Sequence, residues 1–291
     1  MLRLALPKGS LEQATFELFA AADLTVRRVS DVDYRATIDD PRVADVHILR
    51  PQEIPTYVGE GLFDLGVTGR DWVEETGADV VSLGELQYSK VTTRPIRVVL
   101  AVGADSPVQK VEELPHGSRV STEYPRLTRR FLEGRGVEAE VRFSYGATEA
   151  KIPDIADAVV EITETGRALR AAGLRVVDTL LTSYTELVAN PASAADPDKS
   201  RAMGQLLVLL QGALEARGKV LVKLNVAPTD LPSIIAVLPS MRSPTVAELF
   251  GEAGYAVEAV VLKSEINVLI PALKERGATD IIELPIAKIV H

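Results

Sequence analysis

Residues 157–169, DAVVEITETGRAL, run a buried-strand pattern into a turn bearing threonine and glycine, and then into helix-forming residues. A strand that passes at once into a helix must pack in layers, and the same plan recurs along the chain. Leu2 to Leu6 is a strand, Pro7-Lys8-Gly9 a turn, and Ser10 with Gln13 forms an S-x-x-Q capping box ahead of Leu11, Ala14, Leu18 and Phe19 at helical spacing. Strands follow at Val26 to Val29, Val46 to Leu49 and Phe63 to Val67, with helices over Pro51 to Leu62 and from Asp71 to Glu75. Strands alternating with helices at short intervals predict an α/β layer with parallel pairing.

The pattern restarts near Arg94. Strands are expected at Ile96 to Val102, Arg119 to Ser121, Ala139 to Phe143 and Asp157 to Ile162, and helices at Arg126 to Leu132, Thr148 to Ile152 and Arg167 to Ala172. The chain then leaves this second lobe through Val176 to Leu181 and a helical Ser183 to Asn190. The polar stretch from Pro191 to Lys199 reads as a loop or linker, and a helix from about Ser200 to Arg217 stops at Gly218. The remainder runs strand (Val220 to Val226), helix (Asp230 to Leu238), mixed segment (Thr245 to Phe250), strand (Val257 to Leu262), helix (Glu265 to Arg276) and strand (Ile281 to Ile289), a ferredoxin-like order. One lobe is thus placed at residues 1–93 plus about 180–200, a second at 94–179, a connecting helix at 201–217 and a third module at 218–291. A faint internal echo links Asp64 to Asp71 with Asp157 to Arg167: aspartate, apolar strand, Thr-Gly, charged helix start.

Composition narrows the function classes. The 291 residues carry 41 Asp and Glu against 32 Lys and Arg, a net charge of −9, which argues against nucleic acid or an anionic membrane surface as partner. No cysteine is present, so disulfides, thiolate metal sites and cysteine nucleophiles are excluded, in keeping with a reducing, cytoplasmic setting. The N-terminus lacks a secretory pattern, and the most apolar later run, Met203 to Leu214, is well short of the roughly 20 residues that cross a bilayer. Only His47, His116 and His291 exist, and no hydrolase triad or zinc motif is visible, so magnesium with oxygen ligands is the metal the chain favours.

Four places carry chemistry. Thr163 to Leu169 turns a strand into a helix, offering N–H groups, the Thr163 and Thr165 hydroxyls and the Arg167 cation to a phosphate, although an ordinary capped β-to-α turn has the same sequence. Asp157 and Glu161, four apart on the preceding strand, share a face and suit ribose hydroxyls or magnesium. Lys8-Gly9-Ser10 sets a cation before a helix start, and Arg50 follows a buried strand where crevices form in open α/β sheets; a solvated lysine and a surface ion pair are the plainer readings. Tyr124, ahead of Arg126, Arg129 and Arg130, offers a ring for a base, or simply a turn before a basic helix.

In combination and order, LPKGSL, LRPQEIPTYV, DLGVTGRDW, STEYPRLTRRF, GATE, ADAVVEITETGRALRAAGL and LKSEINVLIPALKERGA resemble the long form of the ATP phosphoribosyltransferase family, from about residue 2 to 290. The resemblance implies two lobes like those of type II periplasmic binding proteins and a C-terminal ferredoxin-like, ACT-like regulatory domain. It also implies an enzyme of histidine biosynthesis that uses ATP and 5-phosphoribosyl 1-diphosphate with Mg2+, is inhibited by L-histidine, and forms a homo-oligomer, a hexamer or a dimer. Carried over by position, Glu164, Thr165, Gly166, Arg167, Ala168 and Leu169 hold the donor's 5-phosphate, with Asp157 and Glu161 at ribose or magnesium. Lys8 and Arg50 take the catalytic charge contacts, while Lys8, Gly9, Ser10, Asp71 and Tyr124 place the nucleotide. Ser243 and Thr245, at a Pro-containing turn before an expected helix, are candidate effector contacts, with a simple helix cap as the plainer reading. Two departures stand out: KGSL replaces the family's frequent KGRL, and TGRAL replaces TGTTL or TGATL, so Ser10 and Ala168 lose a charge and a hydroxyl. The rival readings are a two-lobed anion sensor and a phosphoribosyltransferase for another base.

Overall fold

The computed structural model describes residues 1–30, 33–88, 95–239, 241, 243–251 and 253–291; the lobe boundary expected between residues 93 and 94 lies outside them. The chain divides into one unit over Met1–Val208 and a second over Leu209–His291.

In the first unit, β1 (Leu2–Pro7), β2 (Val26–Arg27), β3 (Arg35–Ile38), β4 (Val43–Leu49), β5 (Leu65–Gly69) and β6 (Val81–Leu86) alternate with α1 (Glu12–Ala21), α2 (Ile54–Gly59) and α3 (Arg70–Thr76). A second lobe follows: β7 (Ile96–Gly103), β8 (Ser118–Thr122), α4 (Pro125–Glu133), β9 (Ala139–Phe143), β10 (Ala158–Thr163), α5 (Arg167–Ala171) and β11 (Leu174–Ser183). The chain then returns through β12 (Thr185–Ala189), which joins the first sheet in the order β2-β3-β4-β1-β5-β12-β6; the second sheet is β11-β7-β10-β8-β9. Two lobes crossed twice by the chain is the α/β architecture the resemblance implies. The expected parallel pairing holds in the middle of the first sheet and on one side of the second. β4, β1 and β5 are parallel, as are β10, β8 and β9, while β12 and β7 run antiparallel beside them.

Central strands are apolar on both faces because both faces are covered. In β7, Val98, Leu100 and Val102 pack with Leu127 and Leu132 of α4, whereas Val99 and Ala101 pack with Val159, Leu169 and Leu174 on the other side. Several expectations yield to such packing. Ser183 to Asn190 is not helical: Thr185–Ala189 is a fully buried strand held antiparallel between β5 and β6, so tertiary pairing overrides local preference. The expected linker from Pro191 is α6 (Pro191–Ala195) followed by α7 (Pro197–Ala216). The signals there are helical ones: the Asn190 side chain accepts from the Ser193 N–H at 3.0 Å, and a proline opens each helix. The Ser10 capping box does not form. Instead the Glu12 carboxylate, one residue before the expected partner, accepts the Gly9 N–H at 3.2 Å. The Thr148 to Ile152 helix is a 3-10 turn over Thr148–Lys151.

In the second unit, β13 (Lys219–Val226), α8 (Leu231–Ile235), β14 (Thr245–Glu248), β15 (Tyr255–Leu262), α9 (Ile266–Glu275) and β16 (Thr279–Pro285) form an antiparallel sheet in the order β14-β15-β13-β16. β13 alternates strictly: Val220, Val222, Leu224 and Val226 pack with Ile234 of α8 and Ile266, Leu269 and Leu273 of α9. This is the ferredoxin-like order. The last strand ends at Pro285, where a missing N–H stops the ladder, and not at Ile289. Among the described residues no helix is long and apolar enough to cross a membrane.

Candidate functional site

The parallel cores bring the candidate residues to strand carboxyl ends, the positions where open α/β sheets bind ligands. In the first lobe Pro7 pairs with Leu49, so Lys8 and Arg50 emerge side by side, and the Lys8 N–H donates to the Leu49 carbonyl at 2.6 Å. The Lys8 ammonium lies 4.0 Å from the ring centroid of Tyr34, an exposed residue absent from the sequence expectations. The Arg50 side chain is exposed and has no partner among the described residues. Two cations with no carboxylate against them among the described residues form an edge suited to an anion.

In the second lobe the turn after β10 is organised by Thr163, whose buried hydroxyl accepts the Gly166 N–H at 2.7 Å. Gly166 has φ +73°, open to glycine and costly for a residue with a Cβ. Thr165, Arg167 and Ala168 are exposed, Thr165 accepting the Arg167 N–H at 3.4 Å and, through its carbonyl, the Arg170 guanidinium at 3.2 Å. α5 has only five residues, so its dipole is small and the turn's own N–H and hydroxyl groups matter more. Leu169 is 2% exposed and packs in the core, which leaves it no side-chain role at a ligand.

Asp157 and Glu161 are not one site. Four strand residues separate them by roughly 13 Å. Asp157 stands at the amino end of β10, away from the turn, beside a cavity lined by Ser106, His116 and Ile152. It is taken by Arg119, whose guanidinium lies at 2.7 Å and whose N–H donates at 2.8 Å; these hydrogen bonds hold its carboxyl below the usual range. Glu161 is different. Burial pushes its carboxyl upward, and the nearby Glu123 and Glu149 carboxylates add to the rise, while the Ile162 N–H (2.9 Å) and Thr148 oppose it. Such a group gains from a neighbouring cation. Among the described residues, however, no group of three or more His, Asp or Glu side chains is placed to hold a metal. Glu161 facing Glu123 therefore fits a magnesium ion only if substrate oxygens supply most of its ligands.

Asp71 and Tyr124 meet each other instead of a nucleotide. The Tyr124 hydroxyl donates to Asp71 Oδ2 at 2.8 Å, the Ser183 hydroxyl donates to Oδ1 at 2.7 Å, and the Trp72 ring stacks on Tyr124 at 4.5 Å. Both residues are buried, so the ring has no face free for a base in this arrangement. Burial, first, raises the Asp71 carboxyl above its ordinary range against the two hydroxyl bonds; burial and then the Asp71 charge raise Tyr124 well above its own. Around them α3 grips α4: Glu75 accepts the Arg126 and Leu127 N–H groups at 3.0 and 2.8 Å, Arg126 donates to the Thr76 carbonyl at 2.6 Å, and Arg130 pairs with Glu74 at 2.7 Å. The pair is a fastener that brings the two carboxyl edges together.

In the second unit Thr245 opens the exposed strand β14, so the expected helix after Ser243 is absent: the segment pairs with β15 instead.

Residues 50–212 match the family model for ATP phosphoribosyltransferase, and residues 216–288 match the model described as HisG, C-terminal domain. An ATP phosphoribosyltransferase of Pelotomaculum thermopropionicum is 48% identical over 99% of each chain, and one of Chlorobium phaeovibrioides is 46% identical over 100% of this chain and 98% of its own. Among solved structures, an ATP phosphoribosyl transferase (HisG:HisZ) complex from Thermotoga maritima aligns with TM-score 0.61 at 27% identity, covering 72% of this chain and 96% of its own.

Proposed function

Because the chain belongs to the ATP phosphoribosyltransferase family, we propose that it transfers the 5-phosphoribosyl group of 5-phosphoribosyl 1-diphosphate to N1 of ATP, releasing diphosphate. One observation carries the reading: the cations Lys8 and Arg50, neither paired with a carboxylate among the described residues, and the Thr163–Arg167 turn end parallel strands of two lobes fastened edge to edge. The adenine N1 lone pair forms the new bond to the anomeric carbon as the carbon–oxygen bond to diphosphate breaks, the electron pair leaving with that oxygen. Because diphosphate is a good leaving group, no general base is needed; positioning and charge suffice.

Lys8 and Arg50 receive the charge that develops on the departing diphosphate. Thr165, Gly166, Arg167 and the backbone of Glu164, Ala168 and Leu169 hold the 5-phosphate. Glu161, with oxygens of the substrate, would hold Mg2+, which when bound would supply charge to offset the diphosphate. Gly9 and Ser10 line the nucleotide side through their backbone; Asp71 and Tyr124 set the separation of the walls. The second unit senses L-histidine, near Ser243 and Thr245, and inhibits the first, in a cytoplasmic homo-oligomer with hexameric symmetry.

Incubation with ATP, the donor and magnesium should release diphosphate and shift the adenine absorbance. Arg50→Ala should lower turnover by roughly tenfold or more, as expected for a lost transition-state charge contact; unchanged turnover removes Arg50 from the mechanism. Product with another base but none with ATP would redirect the substrate assignment, and none with any base would favour a sensor.

A further inference from the structure

The GATE segment, Gly146 to Glu149, takes no part in the reading above, yet its backbone is held in an unfavourable shape. Gly146 has φ +115° and Ala147 sits in the left-handed region at φ 49°, ψ 40°, which a residue with a Cβ enters only when its surroundings hold it there. The loop closes over a row of hydroxyls at the carboxyl ends of β8 and β9. Ser144, wholly buried, donates its N–H to the Thr122 carbonyl at 2.8 Å and lies 2.7 Å from the buried Thr148 hydroxyl. Into this row comes Lys151, from the 3-10 turn that follows. Its half-buried ammonium donates to Ser144 Oγ at 2.5 Å and to Ser121 Oγ at 3.4 Å. It makes no ion pair with a carboxylate among the described residues.

A partly desolvated ammonium is normally paired with a carboxylate. Here its partners are neutral, two of its three donors are used, and its charge is uncompensated. Ser144 Oγ accepts from the lysine, shares a hydrogen bond with Thr148 Oγ1 and lies 3.4 Å from the Gly146 carbonyl, so the row is held by the loop itself. The hydroxyls thus hold the cation without neutralising it. All of this lies on the same carboxyl edge as the Thr163–Gly166 turn, because β9, β8 and β10 are parallel neighbours.

We propose that Lys151 is a phosphate-binding residue of the donor site, contacting a phosphoryl oxygen of the diphosphate-bearing substrate from the second lobe. The strained GATE loop positions it, and the hydroxyl row keeps its charge available. This rests on the phosphoribosyl-transfer reading for the identity of the ligand, but the site itself is tested by inorganic diphosphate.

The experiment titrates magnesium diphosphate into the full chain and into Lys151→Met, Lys151→Arg and Ser144→Ala, and measures KM for donor and for ATP separately. Lys151→Met should weaken diphosphate binding and raise the donor KM by roughly tenfold, the scale of one charge-assisted contact, with the ATP KM within about twofold. Lys151→Arg should recover most of both. Ser144→Ala, which leaves the cation in place, should change donor KM by less than Lys151→Met. Diphosphate binding unchanged in Lys151→Met, or donor and ATP KM rising together, makes Lys151 a structural strut and overturns the proposal, as does a wild-type chain that binds no diphosphate. Loss of diphosphate affinity in Lys151→Met with a wild-type chain inactive on ATP would leave the site standing and remove the transfer reading instead.

Discussion

The turns after β5 and after β10 share a sequence plan and have opposite fates. Each follows an aspartate and an apolar strand with Thr, Gly and an arginine that begins a helix. The first is sealed: Gly69 has φ −84°, ψ 146°, a conformation open to any residue, but a Cβ there would lie 2.1 Å from Asp71 Oδ1. The second is open: Gly166 has φ +73°, but a Cβ would meet only the flexible Arg170 guanidinium, at 2.8 Å. One glycine is required by space and the other by backbone. The difference lies in what covers them, since Tyr124 and Ser183 close over the first turn while Thr165 and Arg167 of the second face solvent. A shared local motif therefore makes a fastener in one lobe and an open, solvent-facing turn in the other.

The comparison breaks most readily at the sealed turn. Gly69→Ala should destabilise the first unit by about 3 kcal/mol, the upper range for overpacking, because the Cβ expels a buried carboxylate from its hydrogen bonds; a thermal midpoint within a degree of wild type would show that the junction is loose. Tyr124→Phe comes next, at about 2 kcal/mol, since it leaves one Asp71 oxygen buried without its donor; chemical denaturation checks it, and no loss would remove the fastener.

The smallest effect is the pH dependence. Asp71 has a folded carboxyl raised by burial, so the folded state binds its proton more tightly than the unfolded chain. Its contribution therefore worsens as pH rises from the ordinary aspartate range through the raised folded value. Wild type should lose stability relative to Asp71→Asn across that rise. Asp157, lowered by Arg119, should behave oppositely: its contribution is present above the ordinary range and lost as pH falls through the lowered folded value, and exposure keeps it slight. Parallel pH profiles for Asp71→Asn and Asp157→Asn, each against wild type, would contradict these assignments.

What was legible in the sequence follows from range. The strand–turn–helix units, the two lobes and the ferredoxin-like order are written in local periodicity, and the turn after β10 in five adjacent residues. Thr185–Ala189 was not legible, because its partners β5 and β6 lie about a hundred residues earlier and its strand state is set by burial between them. Asp71 was read as a ligand contact from the family resemblance, and Tyr124 from that and its place after a strand; that they meet each other across 53 residues is a tertiary fact. Asp157 and Glu161 share a strand face, but facing alike does not shorten the rise between them. Lys151 carried one signal, a lysine just after the GATE motif, and its meaning depends on hydroxyls from two other strands.

The central claim is that the open turn, not the sealed one, receives the sugar phosphate. It is tested most directly by titrating ribose 5-phosphate into the full-length wild type and into Gly166→Ala, whose strain of about 1 kcal/mol leaves the unit folded while misaligning the turn's N–H groups. Binding to wild type that weakens roughly tenfold in Gly166→Ala is the predicted result, about 1.4 kcal/mol of lost contact. Equal affinity in the two proteins, or no binding to wild type, would contradict it.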